Sequence, residues 1–280
     1  MDRDFPRREI TIGELRFSVI DAGDGPAVLL LHGFPDSALL WRNQIPALVA
    51  AGYRVIAPDQ RGFGNSSRPQ SVEDYRGQKL AADLIAILDA CGVASAHVVG
   101  HDWGASLAWL LATIAPRRVD RLVVLSVGHP AVLFGSAEQY GKSWYMLLYQ
   151  YPFAEEVMMR DDWRLFREWT AGARDVDHYV ADLSRPGALT AGINWYRANA
   201  GPEVLFRVGR QFDWTSISAP TLGVWSSGDP YLGEESMIAS ARYVSGEWRY
   251  ERIDDSGHWI PLDQPDRLNA LLLDFLGTGS

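Results

Sequence analysis

The chain has 280 residues, 47% of them hydrophobic and 22% charged, and its 26 Lys and Arg against 35 Asp and Glu leave a net charge of −9. That balance suits a globular protein with a sizeable core. It argues against broad binding to nucleic acid or to an anionic membrane. Cys91 is the only cysteine, so an intrachain disulfide and a thiolate metal cluster are both excluded. The stretch Met1-Asp2-Arg3-Asp4-Phe5-Pro6 carries no apolar signal core, and the longest apolar runs are too short to span a bilayer. A cytoplasmic protein is expected.

Short apolar runs alternate with helical patterns along the first half. Ala27-Val28-Leu29-Leu30-Leu31 reads as a fully buried strand, and so do the runs at 53–57, 96–100 and 122–125. Apolar residues at helical spacing lie between them, over 37–51, 78–91 and 103–115. Buried strands without alternation, separated by helices, imply a mostly parallel sheet covered on both faces, an α/β architecture. The alternation stops near Ser126 and resumes with the apolar run at 221–225, a helical stretch at 234–243, a strand at 248–253 and a last helix at 267–276. Between 129 and 211 the pattern is helical only. That segment holds 14 aromatic residues in 83 positions, against 11% aromatic for the whole chain. Such a layer needs large side chains for its own core, and it can also line an apolar pocket over the sheet. The expected division is a core of 1–128 and 212–280 with a helical cap inserted at 129–211.

The most informative stretch is Val99-Gly100-His101-Asp102-Trp103-Gly104-Ala105. It follows a buried strand and opens a helix, with glycines two residues before and two after Asp102. That is the pattern of a nucleophile elbow, in which a tight turn lifts one side chain above the sheet. The helix N-terminus then favours a carboxylate in its ionised form. Aspartate is also a favoured N-cap before any helix, so the elbow reading rests on what accompanies it. His32-Gly33-Phe34-Pro35 follows the first buried parallel strand, where the backbone N–H of Phe34, with that of Trp103, would form an oxyanion hole. Asp229 lies after the strand at 221–225, in Ser226-Ser227-Gly228-Asp229-Pro230, and His258 after the last strand, in Asp255-Ser256-Gly257-His258-Trp259. Each motif alone is an ordinary turn. Together they run in the chain order nucleophile, acid, histidine, at the carboxyl edge of the sheet. The alternative acid position, Val127-Gly128-His129, offers no carboxylate.

An aspartate nucleophile changes the chemistry. Its carboxylate displaces a leaving group at a saturated carbon and forms an alkyl ester. His258, oriented by Asp229, would then activate a water against that ester. Strained epoxides and alkyl halides both fit. An epoxide oxygen needs hydrogen-bond donors opposite the carboxylate, and a tyrosine hydroxyl suits that task. Tyr145 and Tyr196 are the candidates, although aromatic core residues would show the same spacing. A halide would instead need N–H donors such as the indole of Trp103.

At this point the chain resembles the soluble-type epoxide hydrolases of the α/β-hydrolase fold. The resemblance spans nearly the whole sequence. It includes His32-Gly33-Phe34-Pro35-Asp36-Ser37, Asp59-Gln60-Arg61-Gly62-Phe63-Gly64-Asn65-Ser66, Gly100-His101-Asp102-Trp103-Gly104-Ala105 and Gly257-His258-Trp259. Asn194-Trp195-Tyr196-Arg197 matches the family's second lid tyrosine. Tyr145 matches the first through a looser frame, with Tyr149 as the fallback. The resemblance implies that Asp102 opens an epoxide whose oxygen is held by Tyr145 and Tyr196, and that His258–Asp229 releases a vicinal diol. It implies a small-molecule substrate and water as partners, and neither a metal nor an organic cofactor. A homodimer stays open. The expected pocket wall is Phe34, Pro35, Trp103, Tyr149, Trp195 and Trp259, for an apolar or aromatic epoxide. Haloalkane dehalogenases share His101-Asp102-Trp103, but Phe34 cannot supply the second halide donor, which would leave a cap tryptophan such as Trp144. The arginines that fluoroacetate dehalogenases carry beside the nucleophile are replaced by Trp103 and Ser106. A non-catalytic ligand-binding role is the remaining alternative.

Overall fold

A computed structural model describes residues 5–208 and 212–277. Eight strands form one sheet in the order β1-β2-β4-β3-β5-β6-β7-β8. They are β1 (Arg7–Ile12), β2 (Leu15–Ala22), β3 (Ala27–Leu31), β4 (Arg54–Pro58), β5 (Ala96–His101), β6 (Val119–Leu125), β7 (Thr221–Ser226) and β8 (Trp248–Ile253). The first two pair antiparallel with each other, and β2 pairs antiparallel with β4; every other pairing is parallel. Every residue of β3 and β7 is buried, as expected for strands with helices on both faces. The helices pair in turn. Gly77–Ala90 packs on Trp103–Ile114, and Gln44–Ala50 packs on Pro265–Leu276. This is the α/β-hydrolase architecture.

The hairpin β1–β2 is absent from the run-based expectation. Its sequence alternates apolar and polar residues around Gly13, which turns with φ of +59°. A half-exposed edge hairpin needs only alternation, not a continuous apolar run.

Between β6 and β7 the described chain is mostly helical: Pro130–Leu133, Ala137–Lys142, Trp144–Leu148, Ala154–Trp169 with a kink at Arg160 to Trp163, Val176–Leu183, Ala188–Asn199 and Pro202–Leu205. The expected end of this segment, Gln211, lies outside the described residues. The turn around Ser184-Arg185-Pro186-Gly187 separates two of the helices, with Gly187 left-handed at φ of 74°. Ion pairs tie the segment to the sheet layer: Arg42 to Asp175 at 2.6 Å and Arg174 to Asp263 at 3.2 Å. Among the described residues no helix is long and apolar enough to cross a membrane.

Candidate active site

Asp102 stands between β5 and the helix Trp103–Ile114 with φ of 54° and ψ of −124°. A positive φ is costly for a residue with a Cβ and persists only where the surroundings impose it. Here the imposing feature is close packing of the turn. A Cβ on Gly100 would overlap the Gly104 carbonyl, and one on Gly104 would overlap the Leu31 carbonyl. Glycines at both positions let the helix sit directly on β3 and β5, so the aspartate side chain is pushed out above the sheet edge. Asp102 is 8% exposed.

The loop after β3 supplies its first partner. The Phe34 N–H donates to Asp102 Oδ1 at 2.9 Å. That approach requires Gly33, since any Cβ there would run into the Asp102 side chain. His32 holds the loop in this shape. Its Nε2 accepts from the Gln60 N–H at 3.0 Å, which leaves Nδ1–H to donate to the Gly33 carbonyl at 2.8 Å. Burial lowers the pKa of His32, consistent with the neutral tautomer these two bonds need. Trp103 is the first residue of its helix, so its N–H is one of the donors that the helix itself leaves unpaired. The loop after β4 buttresses the same corner: Asp59 accepts from the N–H of Ala38 and of Asn65, both at 3.0 Å, and pairs with Arg7.

Asp229 and His258 come from the loops after β7 and β8. Asp229 Oδ1 accepts from the N–H of Tyr231 at 2.8 Å and of Leu232 at 3.0 Å, and Oδ2 lies 2.8 Å from His258 Nδ1. An ionised carboxylate only accepts, so Nδ1 carries a proton directed at Asp229, and Nε2 is the nitrogen turned toward Asp102. That Nε2 stands 3.7 Å from Asp102 Oδ2. Burial opposes charge on both partners. The attraction of His258 and the three hydrogen bonds still hold Asp229 below its ordinary value. In the same way burial pulls His258 down, but the attraction of Asp229, the hydrogen bond to it and the nearness of the Asp102 carboxylate carry it up to about 10. His101 sits beneath, 4.6 Å ring to ring from His258, and donates from Nε2 to the His258 carbonyl at 2.9 Å. Burial and the neighbouring imidazole lower it to about 4, so it stays a neutral prop.

A cavity of about 560 Å³ opens above Asp102. Tyr145 and Tyr196 line it together with Trp103 and Trp195, and the rest of the wall includes Leu107, Leu110, Leu133, Phe134 and Met146. The rings of Tyr145 and Tyr196 are 5.8 Å apart, and Tyr196 meets Trp103 edge to face at 5.0 Å. Burial and the Asp102 charge push both phenols well above their ordinary range, so both remain protonated donors. The neighbours of Tyr196 anchor it. The Trp195 indole donates to the Arg61 carbonyl at 3.0 Å, and Arg197 clamps Glu155 through bonds of 2.7 and 2.8 Å.

Four residues expected on the pocket wall do not line this cavity: Phe34, Pro35, Tyr149 and Trp259. The Phe34 ring is covered by Tyr149 and Tyr196 at 6.0 and 5.6 Å, and Pro35 is buried in the same loop. Trp259 turns away to donate to Asp36 Oδ2 at 3.0 Å. Tyr149 is fully buried with a hydroxyl that has no hydrogen-bond partner, so between the two tyrosines of that helical turn it is Tyr145 that reaches the cavity. Trp144 is 43% exposed and also stands off the wall. Leu107, Leu110, Leu133, Phe134 and Met146 were not singled out from sequence, where they look like any apolar helix residues. Tyr231 was also missed. The one signal for it is its place two residues after Asp229, where a backbone N–H can cap an aspartate side chain.

The chain belongs to the α/β-hydrolase fold family, whose model matches residues 26–265. Within that family its curated relatives include epoxide hydrolase A of Mycobacterium tuberculosis, 33% identical with 96% of each chain covered. Another is the AB hydrolase superfamily protein YfhM of Bacillus subtilis, 34% identical over 90% of this chain and 91% of the relative. Among solved structures, epoxide hydrolase A from Mycobacterium thermoresistibile superposes with a TM-score of 0.81 at 32% identity, covering 97% of this chain and 98% of that one. A Bacillus megaterium epoxide hydrolase in complex with an inhibitor gives 0.86 at 26% identity, covering 96% and 99%.

Proposed function

We propose that this protein is an epoxide hydrolase that uses Asp102 as its nucleophile. The observation that carries the proposal is the joint geometry of one cavity. A carboxylate on a strained turn is held by the Phe34 N–H at 2.9 Å, a His258–Asp229 pair stands behind it, and two protonated tyrosines share its cavity wall. The epoxide hydrolases among its relatives support the same activity. In this reading the helical segment 129–211 is a cap that brings the tyrosines over the sheet edge.

Asp102 Oδ2 attacks an epoxide carbon, the carbon–oxygen bond breaks, and the opening oxygen takes a proton from Tyr145 or Tyr196. The product is a hydroxyalkyl ester of Asp102. Ester formation removes the negative charge that stood 3.7 Å from His258 Nε2. Part of what raised His258 is thereby lost, and its pKa falls. The imidazolium, charged in the resting site, then gives its Nε2 proton through solvent to the tyrosinate, which restores the phenol and leaves a neutral imidazole as the base of the second step. It takes a proton from water, whose oxygen attacks the ester carbonyl, and the Phe34 and Trp103 N–H groups hold the resulting oxyanion. Collapse releases the vicinal diol. On collapse the hydroxyl proton of the tetrahedral intermediate passes to the departing alkoxide, which leaves Asp102 ionised beside a charged His258 and resets the site.

The cavity wall favours an apolar or aromatic epoxide, and its volume suits a ligand well above the smallest epoxides. A halide-displacing reading is weaker, because Phe34 offers no side-chain N–H and Trp144 faces away from the cavity. The test is product analysis with a panel of epoxides. Vicinal diols are expected, with faster turnover of aryl and alkyl epoxides than of small polar ones. The reverse preference would sink the substrate assignment, and no diol from any member would sink the activity.

A further inference from the structure

We infer that Gln139 is a positioning residue for the acid–histidine pair, so that the helical segment, not the sheet alone, sets the hydrolytic half of the reaction. This rests on the roles proposed above for Asp229 and His258. Asp229 is oriented by the N–H groups of Tyr231 and Leu232, which converge on Oδ1 only while the backbone at 229–233 keeps its turn. From the sheet, the Trp225 indole donates to the Leu232 carbonyl at 3.0 Å; the helix Ala137–Lys142 adds bonds of its own. Gln139 Nε2 donates to the Tyr231 carbonyl at 2.9 Å, and Gln139 Oε1 accepts from the Gly233 N–H at 2.9 Å, so one amide brackets the turn. Its second amide hydrogen goes to Ser143 Oγ at 2.9 Å. Lys142 Nζ adds donations to the carbonyls of Asp229 at 3.0 Å and Leu232 at 3.4 Å. From the other side, the Tyr231 hydroxyl donates to the Trp169 carbonyl at 2.6 Å while its ring lies edge-on to His258 at 5.0 Å.

Gln139 is only 3% exposed, so water cannot readily replace its bonds, and a buried polar group left unpaired carries the full cost of its desolvation. The consequence separates the two chemical steps. Ester formation uses Asp102 and the two tyrosine hydroxyls, none of which bonds to Gln139. Ester hydrolysis needs His258 Nε2 aimed by Asp229, and Asp229 is aimed by the turn that Gln139 brackets.

The experiment is single-turnover kinetics on Gln139→Leu, with ester formation and ester decay followed separately by rapid quench and intact-protein mass. Hydrolysis should slow by about tenfold or more, the rate equivalent of one buried hydrogen bond left unmade. Formation should be unchanged, so the ester accumulates where the parent protein shows little. Equal losses in both steps, or no change in their ratio, would overturn the inference. If the parent protein and its His258→Gln variant form no ester at all, the failure lies in the proposed mechanism instead. Should Gln139→Leu not fold, Lys142→Met removes the neighbouring donor to the same turn, and the same ratio decides.

Discussion

The two walls of the cavity are built on different principles. The sheet-edge wall places its groups through the backbone. Asp102 is lifted by a positive-φ turn that two glycines allow, Phe34 offers a main-chain N–H, and Asp229 is held by two more. The helical wall places its groups through packing. Tyr145 and Tyr196 are set among Tyr149, Trp169, Tyr231 and Trp103, with ring centroids 4.6 to 6.0 Å from their neighbours. The charged groups of the proposed mechanism thus sit on the wall set by backbone, and the neutral donors sit on the wall assembled from side chains. A backbone-set site tolerates repacking but not a change of glycine; a packing-set site behaves the other way.

The sharpest way to break that contrast is to remove one hydroxyl at a time. Tyr196→Phe should slow ester formation by about 100-fold, the usual cost of losing one donor to a developing oxyanion, with ester hydrolysis unaffected. Tyr145→Phe should act in the same direction. Tyr149→Phe should leave both steps alone and raise the melting temperature, since it deletes a buried hydroxyl without a partner and relieves about 1 kcal/mol or more of desolvation cost. Rapid-quench rates and thermal melts on the three variants decide. A catalytic defect at Tyr149 with none at Tyr145 would reverse the assignment.

A smaller effect tests the floor of the sheet-edge wall. Asp36 is buried beneath Trp259, and burial raises its carboxyl from 3.8 to about 7. The native state therefore holds a proton there that the unfolded chain has lost. The stability this contributes is complete below pH 3.8 and is lost as pH rises through about 7, by at most about 1.4 kcal/mol per pH unit. Denaturant unfolding of Asp36→Asn should lose less stability between pH 4 and 7 than the parent. An identical slope in both would mean that the carboxyl is ionised throughout.

The same contrast explains what the sequence reveals. Backbone-set features leave compositional marks: Gly100 and Gly104 flank Asp102, Gly33 precedes the N–H donor, Asp229 follows the apolar run of β7, and His258 follows a glycine after the last strand. The covered strands β3 to β7 are legible for the same reason, while the edge hairpin β1–β2 speaks only through weak alternation. Packing-set features leave almost no mark. Nothing in the spacing of Tyr145 and Tyr149 tells which ring faces the cavity, and Phe34, Pro35 and Trp259 pass for pocket residues because they lie in the loops that carry the Phe34 N–H and His258. Gln139 reads as an ordinary polar residue on a short helix, because its partners are main-chain atoms some 90 residues away.

The central claim is that Asp102 opens an epoxide covalently. Intact-protein mass of His258→Gln, mixed in parallel with an epoxide and with the matching alkyl halide, tests it most directly. Epoxide opening expels nothing, so the account predicts an adduct of the full epoxide mass that maps to Asp102 and is absent from Asp102→Ala. An adduct formed only with the halide, lighter than the reagent by one hydrogen halide, would contradict it, as would an epoxide adduct that survives Asp102→Ala.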